Sequence, residues 1–253
     1  MERIIDSDEL LSRYNNGERD FREVNLEGVT AIGFNLYQAD LRWANLSEAD
    51  LSGCNLRFAN FGGAYLNGTI LNGAKLTGAS LKGAFISSIN LSQAYLNRAD
   101  LTGVNLSGAD LSEAKLIGAV LQGTNLSLAD LSAAKLQRAE LNEAKLIGAD
   151  LSQTNLTGIN LSRASLIGAD LRDANLSEAI LCETILSFAK LRGTDMRAAN
   201  LEGANFFCAD LYEANFYGAN LSRADLRGAV INKADLRETV LTETVMPNGA
   251  VHS

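Results

Sequence analysis

Large apolar residues recur at every fifth position of this chain, without an insertion, from Phe21 to Met246. Of the 46 positions in that phase, 37 are Leu, and the others are Phe, Ile, Met and a single Ala. Two residues before almost every one stands a small residue, usually Ala, elsewhere Thr, Cys, Val or Ile. The slot between them is mostly Asp, Asn or Lys, and the two residues after the apolar centre are rich in Ser, Gly, Glu and Arg. Ala99-Asp100-Leu101-Thr102-Gly103, Ala149-Asp150-Leu151-Ser152-Gln153 and Ala219-Asn220-Leu221-Ser222-Arg223 are typical units. A repeat this strict sets the architecture before any single element is read.

A helix cannot use a period of five. At about 100° per residue, successive leucines would stand about 140° apart and circle the axis, leaving no apolar stripe. A straight strand fails too, because five is odd and each Leu would point to the face opposite the last. Only a chain that turns once per unit keeps every Leu on one side. In extended backbone the centre and the residue two before it point the same way, so Leu and Ala face inward and the residue between them faces out. The Ser- and Gly-rich pair that follows suits a corner. Such a unit cannot bury its Leu alone and needs neighbours above and below, about 4.8 Å away at the spacing of paired strands. A narrow tube walled by one Leu per side has little room for a second large side chain, which accounts for the Ala slot.

The A(D/N)Lxx units resemble those of the pentapeptide-repeat proteins, and the resemblance covers about nine-tenths of the chain. It implies an all-β solenoid, a right-handed quadrilateral β-helix with four repeats per coil. On that basis the rod has about eleven and a half coils and is roughly 55 Å long. The start, Glu9-Leu10-Leu11-Ser12-Arg13-Tyr14-Asn15-Asn16-Gly17-Glu18-Arg19-Asp20-Phe21, and the end, Val245-Met246-Pro247-Asn248-Gly249, are similar to those of cyanobacterial members, a heterocyst-differentiation regulator among them.

Three segments are expected: a helical cap over residues 1–18, the β-helix over 19–246 and a tail over 247–253. Asp6 or Ser7 can cap a short helix, Asp8 and Glu9 suit its first turn, and Asn15-Asn16-Gly17 ends it. Leu10, Leu11 and Tyr14 would then lie over the first coil and cover its unpaired edge. At the other end the only proline, Pro247, opens a Pro-Asn-Gly turn that stops the stack. Either the short tail folds over the last coil, or a second molecule covers it as a homodimer through the C-terminal end.

Charge and composition narrow the function. The formal net charge of −8 favours solubility and disfavours nucleic acid or anionic membranes as direct partners. No apolar run approaches the 18 or so residues of a membrane span, and acidic Met1 to Leu11 does not resemble a signal peptide. The expected location is cytoplasmic. Three scattered cysteines and one histidine, His252, supply neither a zinc set nor a nucleophile pair. Carboxylates are plentiful but sit on the convex outside, without the desolvated cleft that tunes a catalytic pKa. The glycines of Phe61-Gly62-Gly63 lack the Lys-Ser/Thr ending of a phosphate loop. The chain reads as a non-enzyme with no cofactor and no metal.

Surface remains. With four repeats per coil, residues twenty apart stack. One side then carries an acidic ladder of Asp110, Asp130, Asp150 and Asp170. The next carries basic residues, Lys75, Arg98, Lys115, Lys135 and Arg138, with Arg57 below them. Asn and Asp together fill most of this slot, so part of the ladder is expected from the repeat alone. A third region gathers Leu128, Ile147, Ile167, Ile185, Phe188 and Phe207 with Cys208, and Tyr65 and Phe85 stack on that side nearer the N-terminus. A contiguous apolar strip on a folded surface marks a partner site.

The leading expectation is a rigid rod that binds another protein. The alternative that the resemblance implies is a DNA mimic, as in members that protect DNA gyrase from quinolones. Duplex DNA carries a charge about every 1.7 Å. Eight net charges over the rod give one per about 7 Å, roughly fourfold too dilute. The basic side would also meet a DNA-binding cleft with like charge.

Overall fold

In the computed structural model, which describes residues 3–252, residues twenty apart pair in parallel. Asp20 pairs with Asp40, Asp40 with Asn60, and the series runs on to Asp225 with Val245. Every fifth residue makes such a bridge, so one coil takes twenty residues in four five-residue sides. We number the sides by their outward columns: side 1 begins Asp20–Asp40–Asn60, side 2 Asn25–Asn45–Tyr65, side 3 Thr30–Asp50–Ile70 and side 4 Asn35–Asn55–Lys75. Only single-residue bridges form, because the chain turns again within each unit.

One unit shows how the sequence closes the coil. The Asp100 N–H donates to the Ala79 carbonyl of the coil below (2.9 Å), while Leu101 and Gly103 donate to Val120 and Gln122 of the coil above (2.8 and 2.9 Å). The Val104 N–H closes the corner on the Leu101 carbonyl (3.1 Å). The second corner residue takes a positive φ, 68° at Gly103 and 58° at Gln153. That conformation is free for glycine and costs other residues roughly 1–2 kcal/mol. Polar side chains occupy many corners nevertheless, because the packed coil on either side fixes the backbone there.

The outward Asp or Asn does more than face water. Its Oδ1 accepts the N–H two residues on: Ser112 to Asp110 (3.0 Å), Ser127 to Asn125 (3.1 Å), Ser152 to Asp150 (2.9 Å). A side chain that mimics a backbone turn at this point favours the corner over continued strand. This is a physical reason for Asp and Asn at a slot where solvent would accept any polar residue.

Inside, the Leu column and the Ala column are almost wholly buried, from Leu26 to Leu226 and from Ala39 to Ala224. Each buried Leu contributes about 1.5–3 kcal/mol relative to exposure. Where Thr takes the small slot, its hydroxyl is satisfied by backbone: Thr124 donates to Leu101 O (2.9 Å) and Thr194 to Leu171 O (2.9 Å). Cys54 does the same with its thiol on Ala31 O (2.8 Å), and burial pushes that thiol up to about 11. It is an inert core residue.

The ladder has one gap. Phe85 bridges Tyr65 below, but no bridge joins it to Asn105 above, and the Ile86 and Asn105 amides make none of the usual inter-coil bonds. Two β-branched residues, Ile89 and Val104, fill neighbouring small slots beside the gap and are nearly buried. Ile159 occupies such a slot alone and leaves its ladder intact. Val24 and Val29 also fill neighbouring small slots and their ladders stay intact, so branched side chains there do not by themselves open a gap.

The two ends differ. Helix α1, Ser7–Asn15, starts at Asp6, whose carboxylate accepts the Glu9 N–H (2.8 Å). Its Leu10 and Tyr14 are buried on the first coil, and the Tyr14 hydroxyl donates to the Tyr37 carbonyl (3.0 Å). Leu11, expected over the first coil with them, is only half-buried, because it lies one residue off the inward face of α1. Ile5 takes its place: it is buried and its N–H donates to Asn25 O (2.8 Å), while Ile4 bridges Asn25 in parallel. At the other end Val251 pairs antiparallel with Val245, the Met246 N–H donates to Ala250 O (2.8 Å) and His252 N–H to Thr244 O (2.8 Å). The tail therefore folds over side 2 of the last coil. Ile231, Leu236 and Leu241, the centres of the other three sides, remain only half-buried.

Candidate functional site

The i to i+20 register brings the sequence-predicted columns together. On side 3, Asp110, Asp130, Asp150 and Asp170 are consecutive bridge partners. Their charges are not equivalent. Asp170 is followed two residues on by Arg172, which binds it at 2.6 Å, and Lys190 lies at 3.6 Å. The Arg172 hydrogen bonds outweigh desolvation and hold the Asp170 carboxyl below the usual range. Asp110, Asp130 and Asp150 are followed by Ser112, Ser132 and Ser152, and none has a cation within 4.0 Å among the described residues. The Asp-Leu-Arg units thus neutralise their own acid, as also at Asp195–Arg197 and Asp225–Arg227 (2.7 and 2.6 Å). The Asp-Leu-Ser units leave the charge to solvent.

Side 4 stacks Lys75, Tyr95, Lys115 and Lys135 in that order, with Arg98 and Arg138 at the following corner. Lys115 Nζ lies 4.0 Å from the Tyr95 ring centre, a cation–π contact in an otherwise open column. None of these cations reaches a carboxylate within ion-pair distance among the described residues.

The apolar residues form one strip along the corner between sides 2 and 3, with Ile185 adjoining it in the outward column of side 2. Leu128 is 72% exposed and Phe188 57%. Ile147, Ile167, Ile185 and Phe207 are each more than a third exposed. The strip is continuous through backbone register: Leu128 N–H donates to Ile147 O (2.9 Å), Gly148 N–H to Ile167 O (3.0 Å) and Phe188 N–H to Phe207 O (2.9 Å). The Phe188 and Phe207 rings pack edge to face at 5.7 Å. Leu128 lies across Gly148, where a Cβ would come within 3.0 Å of its Cδ2. Tyr65 and Phe85 stack at 5.0 Å on side 2, below the ladder gap. Cys208 sits exposed at the same corner.

Sequence reading passed over one feature. Trp43 lies flat across Gly63, where a Cβ would stand 2.4 Å from the ring, and Phe58 lies across Gly78 in the same way. Both rings remain more than half exposed. The signal was there, as a large corner residue followed twenty positions later by glycine.

The recesses on the rod are open hollows between successive corners, such as the one lined by Cys182, Glu183, Glu202, Gly203 and Arg223. Among the described residues no group of His, Cys, Asp or Glu is arranged to hold a metal ion, and no helix is long and apolar enough to cross a membrane. What the surface offers is flat, charged and apolar area in register.

Known proteins give the comparison. The profile of the family described as pentapeptide repeats matches eight times, at residues 20–57, 54–93, 86–123, 94–132, 124–163, 159–197, 184–223 and 219–248. Among solved structures, HetL of the cyanobacterium Nostoc, a pentapeptide repeat protein involved in heterocyst differentiation regulation, is 32% identical. That match covers 98% of this chain and 100% of HetL, with a TM-score of 0.38. Rfr23 of the cyanobacterium Cyanothece is 40% identical over 39% of this chain and 64% of its own, TM-score 0.23. The plasmid-mediated fluoroquinolone resistance protein QnrB1 is 19% identical over 81% and 88% of the two chains, TM-score 0.31. No curated protein sequence matches. With eight tandem matches and a full-length relative at this identity, the chain belongs to the pentapeptide-repeat family.

Proposed function

We propose that this chain is a non-catalytic protein-interaction module of the cytoplasm, regulatory in a cyanobacterium. Its architecture on this reading is a right-handed quadrilateral β-helix over residues 19–246, with a cap over 1–18 and a tail over 247–253. The observation that carries the reading is the strip from Leu128 to Phe207, five large apolar side chains exposed along one corner with Ile185 beside them on side 2. Apolar area of this kind on a rigid scaffold is a cost to solubility unless a partner covers it. HetL, involved in heterocyst differentiation regulation, supports a regulatory role for a relative of this length. The test is capture of the physiological partner from an extract of the source organism. The triple change Ile147→Ser, Ile167→Ser, Phe207→Ser should abolish capture while leaving the melting transition nearly intact. Undiminished capture by the triple variant would remove the strip from consideration and leave the charged sides.

A second reading, a DNA mimic that binds a DNA-processing enzyme such as gyrase, draws on the three uncovered aspartates of side 3. The cations of side 4 and the low charge density weigh against it. A gyrase supercoiling assay with added protein separates the two: inhibition at stoichiometric protein favours the mimic, and no effect favours the interaction module.

A further inference from the structure

The strip has an acidic margin on one edge only, with Lys145 on the other. Leu128-Ala129-Asp130, Ile147-Gly148-Ala149-Asp150 and Ile167-Gly168-Ala169-Asp170 each place an exposed apolar residue two or three positions before an outward aspartate, so strip and ladder run side by side. Asp130 and Asp150 make no ion pair among the described residues, although Asp150 lies in the field of Arg172, whereas Asp170 is held directly by Arg172 and Lys190. On the other edge, side 2 shows Asn125, Lys145, Ser165, Ile185 and Asn205, with no acid. Side 3 is therefore acidic beside Leu128 and Ile147, neutralised beside Ile167, and carries Lys190 beside Phe188 and Asp210, 3.8 Å from Arg192, beside Phe207.

The spacing along the rod selects the partner's conformation. From Leu128 to Cys208 the corner climbs four coils, about 19 Å at the strand spacing. An α-helix laid along the rod returns the same face every 5.4 Å, and over four intervals it drifts from the corners by only about 2.4 Å. A strand laid the same way returns a face every 6.7 Å or so and drifts by about 7.6 Å, more than a full coil. A helix of about 13 residues spans the strip.

We propose that the strip binds an amphipathic α-helix of a protein partner, laid along the rod, whose apolar stripe is bordered by Lys or Arg at the end that meets Asp130 and Asp150. This rests on the interaction reading above and adds the partner's chemistry. Helix-in-groove recognition ordinarily uses anchors at i, i+3 or i+4 and i+7, and the same anchors suit a row of apolar corners. Charge across the margin fixes the helix direction more than it adds affinity.

The experiment is a selection of random 16-residue linear peptides on the full-length chain. Peptides that support the inference carry apolar residues at i, i+3 or i+4 and i+7 with Lys or Arg on one flank, and become helical on binding by circular dichroism. Their affinity should fall at least tenfold on Leu128→Ser with Ile167→Ser, and about three- to tenfold on Asp130→Asn with Asp150→Asn. Asn is the ordinary residue at this slot and accepts the same corner N–H, as Asn125 does from Ser127, so the second pair keeps the fold. Selected peptides that are acidic, that alternate apolar residues at i and i+2, or that ignore these substitutions overturn the inference, as does a strip-dependent dimer of the chain itself in light scattering. If capture from extract requires the strip but the captured segment is extended or acidic, the helix inference alone falls. If capture ignores the strip, the interaction site falls with it.

Discussion

The two ends of the rod carry the same repeat and different boundaries. At the N-terminal end Leu10 and Tyr14 of α1 and the extended Ile5 are all buried on the first coil. At the C-terminal end Ile231, Leu236 and Leu241 stay half-buried, and their amides find no backbone acceptor among the described residues, although Leu211 one coil below donates to Val230 O at 2.9 Å. The last coil keeps the same five-residue phase as an interior coil. The difference lies in what adjoins: at one end a helix with two buried apolar side chains and the extended Ile5 before it, and at the other a tail that reaches a single side. A solenoid ends wherever stacking stops, and the stability of its last coil is set by the cap, not by the repeat. An uncovered edge of this kind invites a second chain.

The largest expected effect sharpens that contrast. Leu10→Ala removes a wholly buried side chain from the cap interface and should cost about 2–5 kcal/mol. Leu241→Ala makes the same chemical change on the open coil, where the side chain is already half in solvent, and should cost about half as much or less. Urea melts of the two variants compare them directly. Equal losses would mean that the C-terminal coil is covered in solution as well as the N-terminal one.

Next in size is overfilling. Ala119 is fully buried in the middle of the rod, and Ala119→Leu should cost about 1–3 kcal/mol. Ala234 fills the equivalent slot in the last coil and is half-buried, so Ala234→Leu should be near neutral. Outward Gln122→Leu serves as the control and should also cost little. Equal, small effects at Ala119 and Gln122 in denaturant melts would reject the inward and outward assignment itself.

What was legible follows from how many constraints act on each residue. The inward Leu and Ala columns were readable because sterics in a narrow tube exclude nearly everything else, and 46 tandem copies repeat the same restriction. The side-by-side columns of charge and the strip were readable once a coil was known to take twenty residues. The role of the outward Asp and Asn was not, since a side chain pinning its own corner looks in sequence like ordinary solvation. Nor was the difference between Asp150 and Asp170, which depends on whether Ser152 or Arg172 stands two residues on. Ile5 and the tail over side 2 escaped because neither belongs to the repeat.

Self-association tests the open end itself. We propose that the last coil supports a homodimer through the C-terminal end, its uncovered sides 1, 3 and 4 meeting those of a second copy. Light scattering at micromolar concentration should then give a mass about twice the 27.0 kDa of the chain. Deleting Ala250 to Ser253 frees the Thr244 carbonyl and the Met246 amide and should shift association to lower concentration. A mass near that of one chain for both proteins would rule out the dimer and the tail's capping role together.

The smallest expected effect is one in which the ends should agree. Asp20 in the first coil is bound by the Arg22 guanidinium at 2.6 and 2.8 Å and held down from 3.8 to about 2, with the Arg22 N–H as a second cause. Asp235 in the last coil is bound by Arg237 at 2.7 and 2.9 Å and held at the same value for the same reasons. A carboxyl whose folded value is depressed contributes stability that is fully present above its unfolded value of about 3.8 and is lost as the pH falls through about 2. Both pairs are open to solvent, so each contribution is small and weakens with salt. Acidification across that window should therefore weaken both ends alike and leave their difference in stability unchanged. Carboxyl NMR titration of the intact chain, with Arg22→Gln and Arg237→Gln as controls, reads this site by site. Each variant should return its own aspartate towards 3.8 without moving the other. An Asp235 that already titrates near 3.8 in the unaltered chain while Asp20 stays near 2 would show that the open coil is frayed in solution, and would extend the asymmetry of the two ends from their apolar cover to their ion pairs.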